Sequence, residues 1–130
     1  MSINNAPYVR RMAGVWDRIT SAKREGRRQL AVLIDPDLGA DDALLERTIQ
    51  NACMAKADLI FVGGSMLTTA SFEQCVKRVK ELSDRPVVLF PGSPSQLSRH
   101  ADAVLFLSLI SGRNPELLIG HHVLAAPTVK

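Results

Sequence analysis

The chain has 130 residues, enough for one domain with a moderate hydrophobic core. Its hydrophobic fraction is 46%, typical of a globular protein, and no stretch is long and apolar enough to predict a membrane span. The net charge of +3 arises in a basic N-terminal part. Because no aromatic interleaving or nucleic-acid motif accompanies these charges, we expect a solvated helix face and no nucleic acid, with peripheral contact to a membrane surface as the alternative.

An amphipathic helix is predicted at about residues 8–23, before any strand. Its apolar side is expected to dock on the domain, and it consists of Tyr8, Met12, Val15, Trp16 and Ile19. Short apolar strands are then predicted at about residues 29–34, 59–62, 87–90 and 103–107. The first of these is expected to be buried on both faces.

Helices are predicted to separate most of these strands. One begins after Asp41 or Asp42 as its N-cap, and another begins near Thr68, Thr69 or Ser71. The final helix is expected to start with Asn114 as N-cap and to be closed by Pro127. Only residues 94–103 join the third strand to the fourth, so this crossover is expected to be a loop.

This order predicts an α/β fold with four neighbouring parallel strands. The two candidates are half of a (β/α)8 barrel and a small open doubly wound sheet. No GxGxxG motif follows a strand, which argues against dinucleotide binding. We expect one partial TIM-barrel-type domain over residues 1–130. The two cysteines, Cys53 and Cys75, are expected to be reduced core thiols, which favours a cytoplasmic location.

The first strand ends in two carboxylates, Asp35 and Asp37, on either side of Pro36. Pro36 cannot donate to a sheet ladder, so the strand is expected to stop there. Ligands bind at the carboxyl ends of parallel strands, and Mg²⁺ is usually held by one or two carboxylates together with water and phosphate oxygens. Asp35 is the stronger metal-ligand candidate, and the alternative is that one carboxylate caps the following helix.

Small and polar residues follow the other three strands at the same edge of the sheet. They could contribute backbone N–H groups, hydroxyls and one guanidinium to a phosphate-binding rim, and they are Gly63, Gly64, Ser65, Gly92, Ser93, Ser108 and Arg113. His121 and His122 are adjacent and cannot chelate one metal from the same helix, so we expect surface residues. His100 is expected to be a loop residue.

Several motifs together resemble those of the geranylgeranylglyceryl phosphate synthase family, in the family's order and spacing after about Leu30. They are Leu33-Ile-Asp-Pro-Asp37, Phe61-Val-Gly-Gly-Ser65, Val88-Leu-Phe-Pro-Gly-Ser93, Leu97-Ser-Arg-His-Ala-Asp102, Leu105-Phe-Leu-Ser-Leu-Ile-Ser-Gly-Arg-Asn-Pro115 and Leu124-Ala-Ala-Pro-Thr-Val-Lys130.

The resemblance implies a modified TIM barrel that lacks a regular third helix. It implies Mg²⁺-dependent transfer of a geranylgeranyl or similar prenyl group from a prenyl diphosphate to the 3-hydroxyl of sn-glycerol 1-phosphate, the first ether bond of ether-lipid synthesis. Asp35 and Ser65 would be the Mg²⁺ ligands. Leu38 departs from the family pattern, because a lysine usually follows the Asp-Pro-Asp motif.

The family's chain is nearly twice as long as this one. The general base and the loops that bind glycerol phosphate are expected in the half that is missing here. A half barrel exposes a strand edge, so we expect a homo-oligomer. The alternatives are a non-catalytic half barrel that binds prenyl diphosphate or pairs with another chain, and a different phosphate-handling TIM-barrel enzyme such as an isomerase.

Overall fold

The computed structural model describes residues 7–64, 72–110 and 112–129. The side chains of residues 7–13, and with them the predicted contacts of Tyr8 and Met12, lie outside this description. The main elements are α1 (Pro7–Arg24), β1 (Ala31–Ile34), α2 (Asp42–Met54), β2 (Leu59–Val62), α3 (Phe72–Leu82), β3 (Val87–Leu89), β4 (Ala103–Val104) and α4 (His121–Val129). A 3₁₀ turn at Pro36–Ala40 precedes α2, and a π-helical turn at Glu116–Gly120 precedes α4.

The four strands form one sheet in the order β1-β2-β3-β4, and every neighbouring pair is parallel. The prediction of four parallel neighbouring strands is therefore confirmed. β4 is shorter than the predicted 103–107, although the backbone N–H of Leu105 still donates to the Leu89 carbonyl at 2.9 Å. In the described part of the chain β4 pairs only with β3, and no strand lies on its other side. We attribute the shortness of β4 to this missing neighbour.

One face of the sheet carries the main hydrophobic core. The strand residues on this face are Val32, Ile34, Ile60, Val62, Val87 and Leu89, and they pack against α2 and α3. The apolar residues of α3 recur at helical spacing, so Phe72, Val76 and Val79 are buried while the intervening charged residues face solvent. Asp41 is the N-cap of α2, since its Oδ1 accepts a hydrogen bond from the Leu44 backbone at 3.0 Å.

The opposite face of the sheet is only partly covered. Val15 and Ile19 of α1 pack there against Leu59 and Val88, whereas the side chain of Leu33 is 52% exposed. The prediction that β1 is buried on both faces is therefore wrong, because α1 covers only part of this second face.

Trp16 does not belong to the docking side of α1. It is 67% exposed, whereas Val15 and Ala22 are buried. Val15, Ile19 and Ala22 follow one another at spacings of four and three residues, which makes a narrow apolar stripe. Trp16 lies beside that stripe, so its predicted place on the docking side is wrong.

The connection from β3 to β4 contains no helix, as predicted. Its end is fixed by Asp102, whose Oδ2 accepts a hydrogen bond from the Val87 backbone at 2.8 Å and also pairs with Lys80. A single carboxylate therefore links the start of β3, the start of β4 and the end of α3. This link helps so short a crossover return the chain to the sheet.

The C-terminal helical segment differs from its prediction at both ends. Asn114 Oδ1 accepts a hydrogen bond from the Glu116 backbone at 3.0 Å, as expected of a capping side chain, but a π-helical turn follows before α4. Pro127 lies within α4 instead of closing it, although an interior proline removes one helical hydrogen bond and crowds the carbonyl four residues earlier. Across the described ranges, no helix combines the length and apolarity that a membrane crossing requires.

Candidate functional site

The candidate site lies where β1, β2 and β3 end. The backbone N–H of Gly63 donates to Ile34 at 3.2 Å, and that of Phe90 donates to Val62 at 2.8 Å. These bonds continue the parallel ladder by one residue, so Asp35, Gly63 and Phe90 form one row across the sheet edge. The sheet therefore fixes the position of the Asp35 carboxylate, as the sequence predicts for a strand-end ligand.

Gly63 is required in the middle of this row. Its φ is +156°, and a Cβ there would lie 1.9 Å from the carbonyl oxygen of Phe90. Glycine alone adopts this backbone conformation readily and leaves room for the neighbouring strand end. The Gly-Gly pair that suggested a phosphate-binding loop thus also has a structural reason at its first position.

The two oxygens of Asp35 have different surroundings. Oδ1 accepts a hydrogen bond from the Asp37 backbone at 3.0 Å and caps the 3₁₀ turn, while Oδ2 lies 3.3 Å from the point that a Cβ of Gly64 would occupy. Both predicted roles, cap and candidate ligand, are therefore compatible in one side chain. Asp35 is exposed, so Oδ2 can reach a cation beside the Gly64 backbone.

The donor set suits a hard cation that keeps most of its water. An ion such as Mg²⁺ takes oxygen ligands and often only one or two carboxylates from the protein. Within the ranges that the structure describes, no group of three or more His, Cys, Asp or Glu side chains could hold a metal. Asp35 would then be one protein ligand of a largely hydrated ion, and the predicted second ligand, Ser65, lies outside the described residues.

Gln96 connects the two loops that flank this site, and the sequence interpretation missed it. The side chain is 2% exposed. Its Nε2 donates to the carbonyl of Gly64 at 3.0 Å, and its Oε1 accepts from the backbone N–H of Gly92 at 2.9 Å. The structure thus joins the predicted residues Asp35, Gly63, Gly64 and Gly92 into one continuous rim.

The other predicted rim residues are less closely joined to it. Asp37 is exposed on the 3₁₀ turn, and the hydroxyl of Ser93 lies 2.6 Å from that of Ser95. Ser108 Oγ lies 3.2 Å from Nε2 of His122. Arg113 is exposed.

The histidines take structural or surface positions. His100 Nε2 lies 3.1 Å from a carboxylate oxygen of Glu73. The loop histidine therefore contacts a side chain of α3 and not the candidate rim. The ring of His122 packs edge-on against Phe106 with 4.4 Å between ring centroids. His121 and His122 also line a small cleft of about 50 Å³ beside residues 91–94.

The carboxyl groups with shifted pKa values lie away from the rim. Hydrogen bonding to Arg27 and to the Leu30 backbone lowers the pKa of Asp58. Hydrogen bonding to Arg78 likewise lowers the pKa of Asp42. Both carboxylates belong to ion pairs that join neighbouring elements, so these shifts do not mark a catalytic acid or base.

Both cysteines are free, as expected, but they differ in exposure. Burial, with a further contribution from the negative charge of Asp35, raises the pKa of Cys75 to about 11.

At about pH 8 roughly one Cys75 thiol in a thousand would be ionised, so native Cys75 should resist iodoacetamide. We expect peptide mass spectrometry to find the half-buried Cys53 alkylated first, and Cys75 alkylation to rise only as the pH approaches that value. Equal alkylation rates of Cys53 and Cys75 in the native protein would contradict this expectation. In denatured protein the two cysteines should be alkylated at equal rates.

A profile of the PcrB family matches residues 23–130. The chain belongs to the PcrB family. The match begins at the end of α1 and includes all four strands and the whole candidate rim. The family resemblance noted from the sequence motifs is therefore confirmed.

Named relatives of this PcrB chain are geranylgeranylglyceryl phosphate synthases. The protein of that name from Chitinophaga pinensis is 53% identical over 116 residues, which are 89% of this chain and 46% of the relative. The chain thus spans about half the length of the curated relatives it matches.

Two solved structures share the fold of this PcrB chain. The wild-type synthase from Thermoplasma volcanium is 37% identical, with a TM-score of 0.70 over 78% of this chain and 41% of its own. The synthase from Thermoplasma acidophilum, solved with its substrate sn-glycerol 1-phosphate, is 32% identical, with a TM-score of 0.69 over 82% and 44%. The prediction of TIM-barrel-type units amounting to about half a barrel is confirmed.

Proposed function

We propose that this chain carries the prenyl diphosphate half-site of a geranylgeranylglyceryl phosphate synthase. The reaction would transfer a geranylgeranyl or similar prenyl group from its diphosphate to the 3-hydroxyl of sn-glycerol 1-phosphate, with Mg²⁺ as cofactor. The observation that carries the proposal is the exposed Asp35 carboxylate beside Gly64 at the end of β1. The relatives that are geranylgeranylglyceryl phosphate synthases support the choice of reaction.

The roles of the rim residues follow from their chemistry. Asp35 would hold the metal, and bound Mg²⁺ would neutralise the diphosphate and so help it to leave. Gly63, Gly64 and Gly92 bring the backbone close to an anion, and Ser93 would add a hydroxyl. We propose weaker roles in diphosphate binding for Asp37, Ser108 and Arg113, since the structure gives them no close link to the rim.

The uncovered sheet face next to the rim favours an apolar ligand. Leu33 and Phe61 are paired in the sheet register, and the ring of Phe61 stacks on that of Phe90 with 6.2 Å between centroids. Leu33 is 52% and Phe90 37% exposed. A prenyl chain that covered these side chains would gain hydrophobic free energy of about 25 cal/mol per Å² of apolar area buried.

The acceptor half of the reaction would need residues from outside this chain. We propose that the glycerol phosphate site and the general base correspond to the part of the relatives that this chain does not match. A second copy is our first candidate to cover the exposed apolar residues Ile110, Val123 and Leu124. Sedimentation should then show concentration-dependent association, whereas a monodisperse monomer at all concentrations would contradict it.

Turnover is tested with the purified chain, Mg²⁺, labelled sn-glycerol 1-phosphate and geranylgeranyl diphosphate. An ether product would support the enzyme and would mean that an oligomer rebuilds the acceptor site. No product, with Mg²⁺-dependent binding of the diphosphate retained, would favour the second candidate function, a non-catalytic half barrel. The open sheet face is the observation that favours this second candidate. Binding of sugar phosphates in preference to prenyl diphosphates would overturn both.

A further inference from the structure

Gln96 is the one buried polar side chain among the residues whose burial the structure describes. A buried amide is unfavourable unless its donor and acceptor are both satisfied. Here they are satisfied by two backbone groups far apart in sequence, the Gly64 carbonyl at 3.0 Å and the Gly92 N–H at 2.9 Å. The side chain therefore links the loop after β2 to the loop after β3.

The loop after β3 holds Gln96 firmly. Its backbone N–H donates to the Ser93 carbonyl at 3.1 Å and closes the turn that begins at Ser93. The next residue, Leu97, packs against the main core. Gln96 is therefore anchored next to the sheet although no helix covers this crossover, and a displacement of its amide would move both loops.

We propose that Gln96 is a positioning residue that sets the separation between Gly64 and Gly92 and keeps Gly64 beside the Asp35 carboxylate. The inference rests on the proposed function, because these two backbone segments are the ones that would flank the diphosphate. The amide of Gln96 donates to one segment and accepts from the other in a single side chain. Residues that orient a binding site in this way commonly change affinity by about 10–100-fold.

Three variants separate this role from general stability. Gln96→Met keeps the length of the side chain but removes both hydrogen bonds. Gln96→Glu keeps an acceptor for the Gly92 N–H but loses the donor to the Gly64 carbonyl. Val79→Ala is the control, because it removes packing from a fully buried position of α3 in the main core, away from the rim.

The affinity of each variant for geranylgeranyl diphosphate with Mg²⁺ is measured by calorimetry, at a temperature where circular dichroism shows each variant folded. We expect both Gln96 variants to bind about tenfold more weakly or worse, and Val79→Ala to bind like the wild type even where its Tm is equally reduced. If both Gln96 variants bind like the wild type, or if all three variants weaken in proportion to their Tm, the positioning role is wrong.

A fourth variant, Asp35→Asn, separates failure of this inference from failure of the proposed function. If Asp35→Asn loses binding while the Gln96 variants retain it, only the inference fails. If the wild type shows no Mg²⁺-dependent binding, or Asp35→Asn binds equally well, the proposed function fails and the inference with it.

Discussion

Gly63→Ala is expected to destabilise the fold by about 4 kcal/mol or more. The new Cβ would lie 1.9 Å from the carbonyl oxygen of Phe90, and the φ of +156° is one that residues with a side chain rarely adopt. The clash is with backbone, so no side-chain rotation relieves it. Since domains are stable by about 5–15 kcal/mol, the variant should be largely unfolded or unfold at much lower urea concentration, as followed by circular dichroism.

Gly14→Ala is the matched control for this substitution. Gly14 is exposed in the middle of α1, and a Cβ there would meet nothing within 4 Å. Because alanine is the better helix former, we expect this variant to gain about 0.5–1 kcal/mol of stability. Wild-type stability of Gly63→Ala would show that the ends of β2 and β3 are not packed as described.

Asp35→Asn is expected to weaken Mg²⁺-dependent binding of geranylgeranyl diphosphate by about 100-fold or more. The asparagine Oδ1 can still accept the hydrogen bond from the Asp37 backbone that caps the 3₁₀ turn. The substitution therefore removes the negative charge that attracts the cation and keeps the local hydrogen bond. Calorimetry measures the affinity, and circular dichroism should show an unchanged fold.

Asp84→Asn controls for the change in net charge. Asp84 lies in the exposed turn between α3 and β3, at the opposite end of the strands from the rim. We expect the affinity of the Asp84→Asn variant for the diphosphate to stay within about twofold of the wild type, since exposed charges farther apart than a Debye length are largely screened. Equal losses in the two variants would mean that net charge, and not a site at Asp35, governs binding.

The ends of β1, β2 and β3 could be predicted because local residue chemistry determines them. Pro36, Gly63 and Pro91 each interrupt an apolar run, and the structure ends β1, β2 and β3 at or just before these positions. The side chains at one edge of a parallel sheet could then be inferred without coordinates. The Asp41 cap likewise depends only on a hydrogen bond within the first turn of α2.

Burial on the second sheet face could not be predicted in the same way. Leu33 is as apolar as its neighbour Ile34, yet only Ile34 faces the layer of α2 and α3. Whether Leu33 is covered depends on distant parts of a barrel and not on the strand itself. Helical spacing groups Trp16 with Val15 and Ile19, but the side of α1 that docks is the narrower stripe of Val15, Ile19 and Ala22, which the helical pattern alone does not define.

Gln96 gave no usable signal in the sequence. It lies in a polar crossover without helical or strand periodicity, and it is buried only because the crossover folds back over the ends of β2 and β3. Its two partners are backbone groups, which no residue pattern reveals. The one local hint is that the apolar residue Leu97 follows it and packs against the core.

The most direct test of a prenyl diphosphate half-site is the affinity of the wild-type chain for geranylgeranyl diphosphate with and without Mg²⁺. We expect Mg²⁺ to tighten binding by about tenfold or more, because Asp35 and the diphosphate repel each other until a cation bridges them. Equal affinity in a chelator and in Mg²⁺, from protein that circular dichroism shows to be folded, would contradict the assignment of this rim as a metal-diphosphate site.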